Sequence, residues 1–320
     1  MPAGSILFIN MWPELFRIPV IDLPVFGYGL MMVIGFLAAI EVAKKLAKRV
    51  GLDGEIFVNA ALIALVAGIV GARLSHVLEN FHDYTRADRS VFANLFDAIN
   101  LRSGGLTFYG GFILATPILI WYAIAKKIPV KVGMDIIAPC LMIGLAFGRI
   151  GCFMNGCCYG AECNLPWAVR FPYASNAYVD QFENREIAPP QELMGPGVNG
   201  PRLLTTHEIQ NDPELKAMAA QITAKPVHPA QLYSSFTAFL LAALLIAYFT
   251  MPHAAGRVFA LMLMLEGSAR YVLEMVRVEP PVLGPMSLSM VIGVISVVFG
   301  IVLWFAFGRG EEQRVAAQPA

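Results

Sequence analysis

Seven stretches of about twenty mostly apolar residues, near 24–43, 56–78, 105–125, 133–152, 229–250, 256–275 and 286–307, constrain this chain more than any motif in it. A hydrocarbon core roughly 30 Å thick is crossed by about 20 helical residues, and backbone polar groups inside it must bond within their own segment. The pattern predicts an all-α polytopic membrane protein with seven transmembrane helices. Composition agrees: of 320 residues 57% are hydrophobic and only 14% charged, where a soluble domain carries about a quarter. Lys plus Arg and Asp plus Glu each total 23, so no basic surface points to nucleic acid, and the lipid bilayer is the expected surrounding. The opening MPAGSILFINMWPELFRIPV has neither a basic start nor a small-residue cleavage site. The first segment is therefore expected to be retained, with Trp12 and Phe16 in an interfacial piece.

Charge orients the segments. Lys44, Lys45, Lys48 and Arg49 follow the first, Lys126, Lys127 and Lys131 separate the third from the fourth, Arg257 precedes the sixth, and Arg309 and Arg314 follow the seventh. All lie on one side if seven segments alternate, and the positive-inside rule makes that side cytoplasmic. The N-terminus is then outside and the C-terminus inside, with 309–320 a cytoplasmic tail. Residues 1–320 read as one integral membrane domain. Within it, 153–228 is expected to be an external, irregular head insertion, because APPQELMGPGVNGPR is rich in turn residues.

Polar groups near the outer face are candidates for function, since polar groups in hydrocarbon are costly. Arg149 sits among Gly144, Gly148 and Gly151; its planar fork suits a phosphate, although an arginine can also snorkel to the interface. Glu266, Arg270 and Glu274 are spaced four apart and share a helix face, so a carboxylate on either side can hold Arg270 while its free edge meets a ligand, or the arginine simply pairs with Glu274. LRSGGLTFYGG, 101–111, sets Gly104, Gly105, Gly110 and Gly111 around Tyr109, which suggests close backbone approach or a re-entrant bend. Tyr109 can donate to a phosphate, act as a base with a lowered pKa, or merely anchor the interface. Tyr28 lies between glycines at the start of segment one, and HPAQLY puts His228, Gln231 and Tyr233 at the start of segment five, where His228 can line the outer mouth or only bond at a helix start.

Cys152, Cys157, Cys158 and Cys163 are spaced C-x4-C-C-x4-C, with Cys140 alone in segment four. Zinc knuckles and iron-sulfur loops use shorter units, so no metal ligand set is predicted. An outer, oxidising face favours disulfides that pin the loop to the helix end, with free packing thiols, or metal or redox work, as alternatives.

YGLMMVIGF from Tyr28, SGGLTFYGG at 103–111, GRIGCFMNGCCYG at 148–160, HPAQLY at 228–233 and EGSARYVLEMVR at 266–277 occur in an order that resembles bacterial prolipoprotein diacylglyceryl transferases. The resemblance covers nearly all seven segments and is weak only in the long external stretch and the tail. It implies a bacterial inner-membrane enzyme with no cofactor. Phosphatidylglycerol would be the donor, and the acceptor would be the lipobox cysteine in the signal peptide of a prolipoprotein, giving a thioether and glycerol phosphate. By the family's motifs Arg149, Arg270, Glu274 and Tyr109 fall on catalytic positions, and Tyr28, Asn155, His228 and Glu266 join the two arginines as substrate-binding candidates. The sequence departs from the family pattern at several places. Tyr109 stands for the usual histidine, Cys152 for asparagine, Cys157 for glutamate, Ala161 for arginine, and Glu266 for a tyrosine, while Asn155 and Gly156 remain. The competing readings are a silent relative that binds lipid or lipoprotein, a membrane redox or metal protein built on the cysteines, and a transporter. The last fits poorly, because segments two, five and seven offer few deep polar residues.

Overall fold

Helix formation follows the apolar runs. In the computed structural model, described at residues 7–8, 14–18, 23–85, 90–100, 105, 107–197, 200–277, 279–308 and 312–313, the helices are α1 (Gly27–Arg49), α2 (Gly54–Glu79), α3 (Phe81–Tyr84), α4 (Val91–Ile99), α5 (Phe108–Ala125), α6 (Val130–Met154), α7 (Asn176–Glu183), α8 (Thr206–Gln210), α9 (Pro213–Gln221), α10 (Ala230–Phe249), α11 (Arg257–Glu274) and α12 (Leu288–Phe307). Trp12, Gly104, Arg309 and Arg314 lie outside the described residues. Several starts are set by side-chain caps that satisfy orphan amide donors. Asp53 accepts from Glu55 N, Ser90 from Ala93 N, Ser175 from Tyr178 N and Ser287 from Met290 N, and Thr205 with Glu208 forms a capping box.

Among the described residues, four helices, α2, α6, α10 and α12, are long and apolar enough to cross a membrane. The α11 segment falls short because it carries Arg257, Glu266, Arg270 and Glu274 within eighteen residues. The apolar side chains of α12 mostly face outward, Ile295, Val298, Val302 and Phe305 among them, whereas α6 is the most enclosed of the four. Outward apolar faces of this extent are what a lipid surrounding stabilises.

The chain forms two compact units, one of Met1–Ala39, Ala138–Thr250 and Arg257–Arg309, the other of Ile40–Ile137, Met251–Gly256 and Gly310–Ala320. In the first unit α11 crosses α12 at glycines. A Cβ on Gly267 would lie 2.6 Å from the Gly293 carbonyl oxygen, and one on Gly300 would lie 2.9 Å from that of Ala260. Small residues let helix backbones touch where lipid gives no hydrophobic drive to association. In the second unit α2 and α5 meet the same way: Gly110 lies against Gly71 and Ser75, and Gly111 against Gly68. Those contacts settle the glycines of the FYGG sequence as close helix approach. Buried Arg73 completes this unit by donating to the carbonyls of Asp97, Ala98 and Gly105 at 2.7, 2.8 and 3.0 Å.

The stretch 153–228 is more regular than its turn-rich sequence suggests. It has a small core of its own, in which Val169, Phe171, Tyr173, Tyr178, Leu193 and Val227 are nearly or fully buried. APPQELMGPGVNGPR folds as a 3-10 turn, Gln191–Leu193, and the antiparallel strands Met194–Gly197 and Gly200–Leu203. Tyr173 fixes that hairpin by donating to the carbonyls of Leu193 and Leu204 at 3.1 and 3.0 Å. Aromatic rings and backbone pairing therefore order a passage whose glycines and prolines read as loop.

Candidate functional site: an arginine-lined cleft beside three thiols

A cleft open to the surroundings lies in the first unit, lined by α6, α10 and α11. Apolar Met142, Leu145, Ala238 and Leu241 form one part of its wall. The charged part comprises Arg149, Glu266, Arg270, Glu274 and Arg277. Three helices of low polarity thus surround five ionisable groups. Charges in such a setting interact more strongly than in water, which makes the cleft suited to an anionic headgroup.

Arg149 enters from the last turns of α6. Its Nε is buried without a hydrogen-bond partner among the described residues. An unsatisfied guanidinium donor is costly unless a ligand or water supplies the acceptor. Arg270 is held four residues back, its Nε donating to Glu266 Oε1 at 2.9 Å and its Nη2 lying 2.8 Å from the same oxygen. Of the two carboxylates that the spacing allows, Arg270 thus pairs with Glu266 rather than Glu274. Glu274, almost fully buried, accepts from Ser287 Oγ at 2.9 Å and meets Arg277 Nη1 at 3.3 Å. The reason is that Ser287, the cap of α12, is brought to the end of α11, where its hydroxyl and Arg277 engage Glu274 first. Arg277, which also pairs with Glu279, was not singled out from the sequence. The signal available was its place three residues after Glu274, on the same helical side.

The floor beside Arg149 is set by the end of α6. Asn155 N bonds to Gly151 O at 3.0 Å, Gly156 N to Phe153 O at 3.1 Å and Cys157 N to Cys152 O at 3.1 Å, so the chain folds back on the helix. Gly156 at φ +68° and Cys158 at φ +60° make that reversal. The first is a glycine and fits the left-handed region; the second is not, and is strained there. The loop is then clamped. Gln231, fully buried, donates from Nε2 to Cys157 O at 2.7 Å, Gly160 N bonds to His228 O at 2.9 Å, and Ala161 N bonds to Val276 O at 2.8 Å. Tyr28 packs on the other side of Gly151, where a Cβ would meet its ring at 3.0 Å.

The four loop cysteines do not act as one set. All five cysteines of the chain are free thiols, and the Sγ atoms of Cys152, Cys157 and Cys158 lie within 4.8 Å of one another. Cys163 is outside that group, tied by its amide to Pro226 O at 3.0 Å. The expected disulfide staple is thus not formed in this structure; backbone pairing of 160–163 with 226–228 and Val276 fastens the loop instead. The Cys158 thiol is held below the usual thiol range, by hydrogen bonds from Cys152 and Cys157 above all and then by Arg149 and Arg277.

Of the residues singled out from the sequence, Arg149, Arg270, Glu266, Glu274 and Cys158 share the cleft. Asn155 is exposed at the loop and Tyr28 stands at the first turn of α1. His228 is not among the lining residues; its Nδ1 lies 3.3 Å from Tyr233 Oη, which in turn accepts from Trp167 Nε1 at 2.7 Å. Tyr109 belongs to the second unit, exposed in the first turn of α5.

A family model described as prolipoprotein diacylglyceryl transferase matches residues 13–306. The chain belongs to that family. A phosphatidylglycerol-prolipoprotein diacylglyceryl transferase of Rhodopirellula baltica is 32% identical over 208 residues, which are 64% of this chain and 39% of that protein. The one from Clostridium tetani is 27% identical over 304 residues, 95% of this chain and all of that protein, and the one from Vibrio cholerae is 28% identical over 327 residues, 99% of this chain and all of that protein.

Proposed function

We propose that this protein transfers the diacylglyceryl group of phosphatidylglycerol to the lipobox cysteine thiol of prolipoproteins. The observation that carries the reading is the cleft shared by Arg149 and Arg270, in a chain whose family is named for that transfer. A phosphate between the two guanidinium groups satisfies the orphan Nε of Arg149 and takes the edge of Arg270 that Glu266 leaves free. The wall of α6 and α10 side chains suits the start of the acyl chains.

In the reaction the acceptor sulfur attacks the glyceryl carbon, a C–S bond forms, and the bond from that carbon to the phosphate oxygen breaks. The electron pair leaves on glycerol phosphate, whose added negative charge falls where the arginines already point. Preorganised donors aimed at developing charge often contribute more to catalysis than any other single effect. Tyr109, His228 and Glu266 are the candidate proton acceptors, and Tyr109 stands at the position where the family motif has its histidine. Under the same reading seven spans cross the bacterial inner membrane with the N-terminus outside, the 153–228 head at the outer face and 309–320 in the cytoplasm.

The test is mass spectrometry of a prolipoprotein in cells depleted of their own transferase and supplied with this chain. The expected result is a diacylglyceryl adduct on the lipobox cysteine, absent with Arg149→Ala. An unmodified prolipoprotein beside confirmed, membrane-inserted protein would refute the assignment.

A further inference from the structure

We propose that Cys152, Cys157 and Cys158 form a binding site for a thiophilic cation of the zinc class, a capacity the diacylglyceryl transfer does not require. Three sulfurs already lie within 4.8 Å of one another. Tetrahedral zinc with bonds of about 2.3 Å to sulfur needs its sulfurs roughly 3.8 Å apart, so side-chain rotation of under about 1 Å closes the set. The sequence spacing C-x4-C-C argued against a metal because common sites use C-x2-C. The fold removes that objection: the reversal at Gly156 and the left-handed backbone of Cys158 return the second and third cysteines to the first.

The position is built rather than incidental. A non-glycine residue at φ +60° persists only where its surroundings over-determine it. Here the surroundings are the Gln231 bond to Cys157 O, the Gly160 bond to His228 O and the Ala161 bond to Val276 O. Charge is also matched. Three thiolates around a dication carry a net charge of about minus one, and the Arg149 and Arg277 guanidinium groups act on the cluster from the cleft. Since Cys158 lines that cleft, the fourth coordination position adjoins it. Three protein ligands with one open position is the pattern of sites that keep water or a substrate atom on the metal. Binding forms three metal–sulfur bonds and releases to solvent the protons that the thiols still carry, so affinity rises with pH.

The probe is Co²⁺ titrated into the full-length chain in detergent, chelator-stripped, reduced and kept anaerobic. The expected result is a sulfur-to-cobalt charge-transfer band that saturates at one equivalent and is abolished by Zn²⁺. Cys163→Ser and Cys140→Ser keep it, whereas Cys152→Ser, Cys157→Ser and Cys158→Ser each lose most of it. Far-ultraviolet circular dichroism of each metal-free variant must match the parent, which separates a lost site from a lost fold. No band with the reduced parent, or the same band and stoichiometry in the triple serine variant, would overturn the proposal. Neither lipid nor turnover is read, so the transferase assignment stands or falls separately.

Discussion

Gly160→Ala is the most informative single change outside the charged residues. A Cβ at this position would sit 2.7 Å from His228 Cβ and 2.9 Å from Val276 O, and the glycine amide is bonded to His228 O. Reaching the 3.4 Å of ordinary contact opens the loop from the start of α10 by about 0.7 Å. The loop carries Cys158, and Val276 adjoins Arg277, so both leave their places in the cleft wall. Overpacking of this kind costs about 1–3 kcal/mol of stability, and a shift near 1 Å in a reacting constellation costs up to about 100-fold in rate. Transfer from phosphatidylglycerol to a lipobox peptide, followed by mass spectrometry, should fall roughly tenfold to 100-fold in kcat/KM. Gly144→Ala is the matched control, with nothing within 4 Å of its added Cβ. Equal kcat/KM for the two variants would refute the claim that loop position sets the cleft.

Arg270→Lys keeps the charge but loses the planar fork, and forfeits one or more charge-assisted hydrogen bonds worth about 1.5–3 kcal/mol each; kcat/KM should drop roughly 10- to 150-fold, as initial rates over a phosphatidylglycerol series would show. Ser235→Ala removes the buried bond from Ser235 Oγ to Ala146 O at 2.9 Å, and unfolding in detergent should reveal a loss of only about 0.6 kcal/mol, the typical worth of such a bond between membrane helices. Burial pushes the Tyr173 phenol up to about 12, against about 10 in an unfolded chain. The folded value is the higher one, so this stabilisation is complete below about pH 10 and is lost as pH rises toward 12. Melting temperature should fall across that window in the parent and fall less steeply in Tyr173→Phe.

The helices were legible because lipid imposes one rule on every crossing segment, and apolar runs of the right length express it directly. Helix α11 was found in sequence as a run interrupted by charge, and the structure shows three of those charges, Glu266, Arg270 and Glu274, turned to the cleft. The partner of Arg270 was not legible: spacing alone makes Glu266 and Glu274 equivalent, and the choice is made by Ser287, a residue from the next helix. The convergence of three cysteines was hidden for a related reason, since it depends on two left-handed residues and on a clamp from α10 and the end of α11. The order in 153–228 also comes from long-range contacts, with Tyr173 bonded across twenty and thirty-one residues to the hairpin. Local composition there reported only the turns.

The most direct measurement is transfer by the purified chain in lipid nanodiscs containing phosphatidylglycerol, with a synthetic lipobox peptide, comparing the parent with Arg149→Ala and Arg270→Ala. The prediction is that the parent yields the diacylglyceryl thioether and glycerol phosphate in equal amounts, and that both variants, folded by circular dichroism, yield neither. Full turnover in both variants would contradict the arginine cleft as the site of transfer.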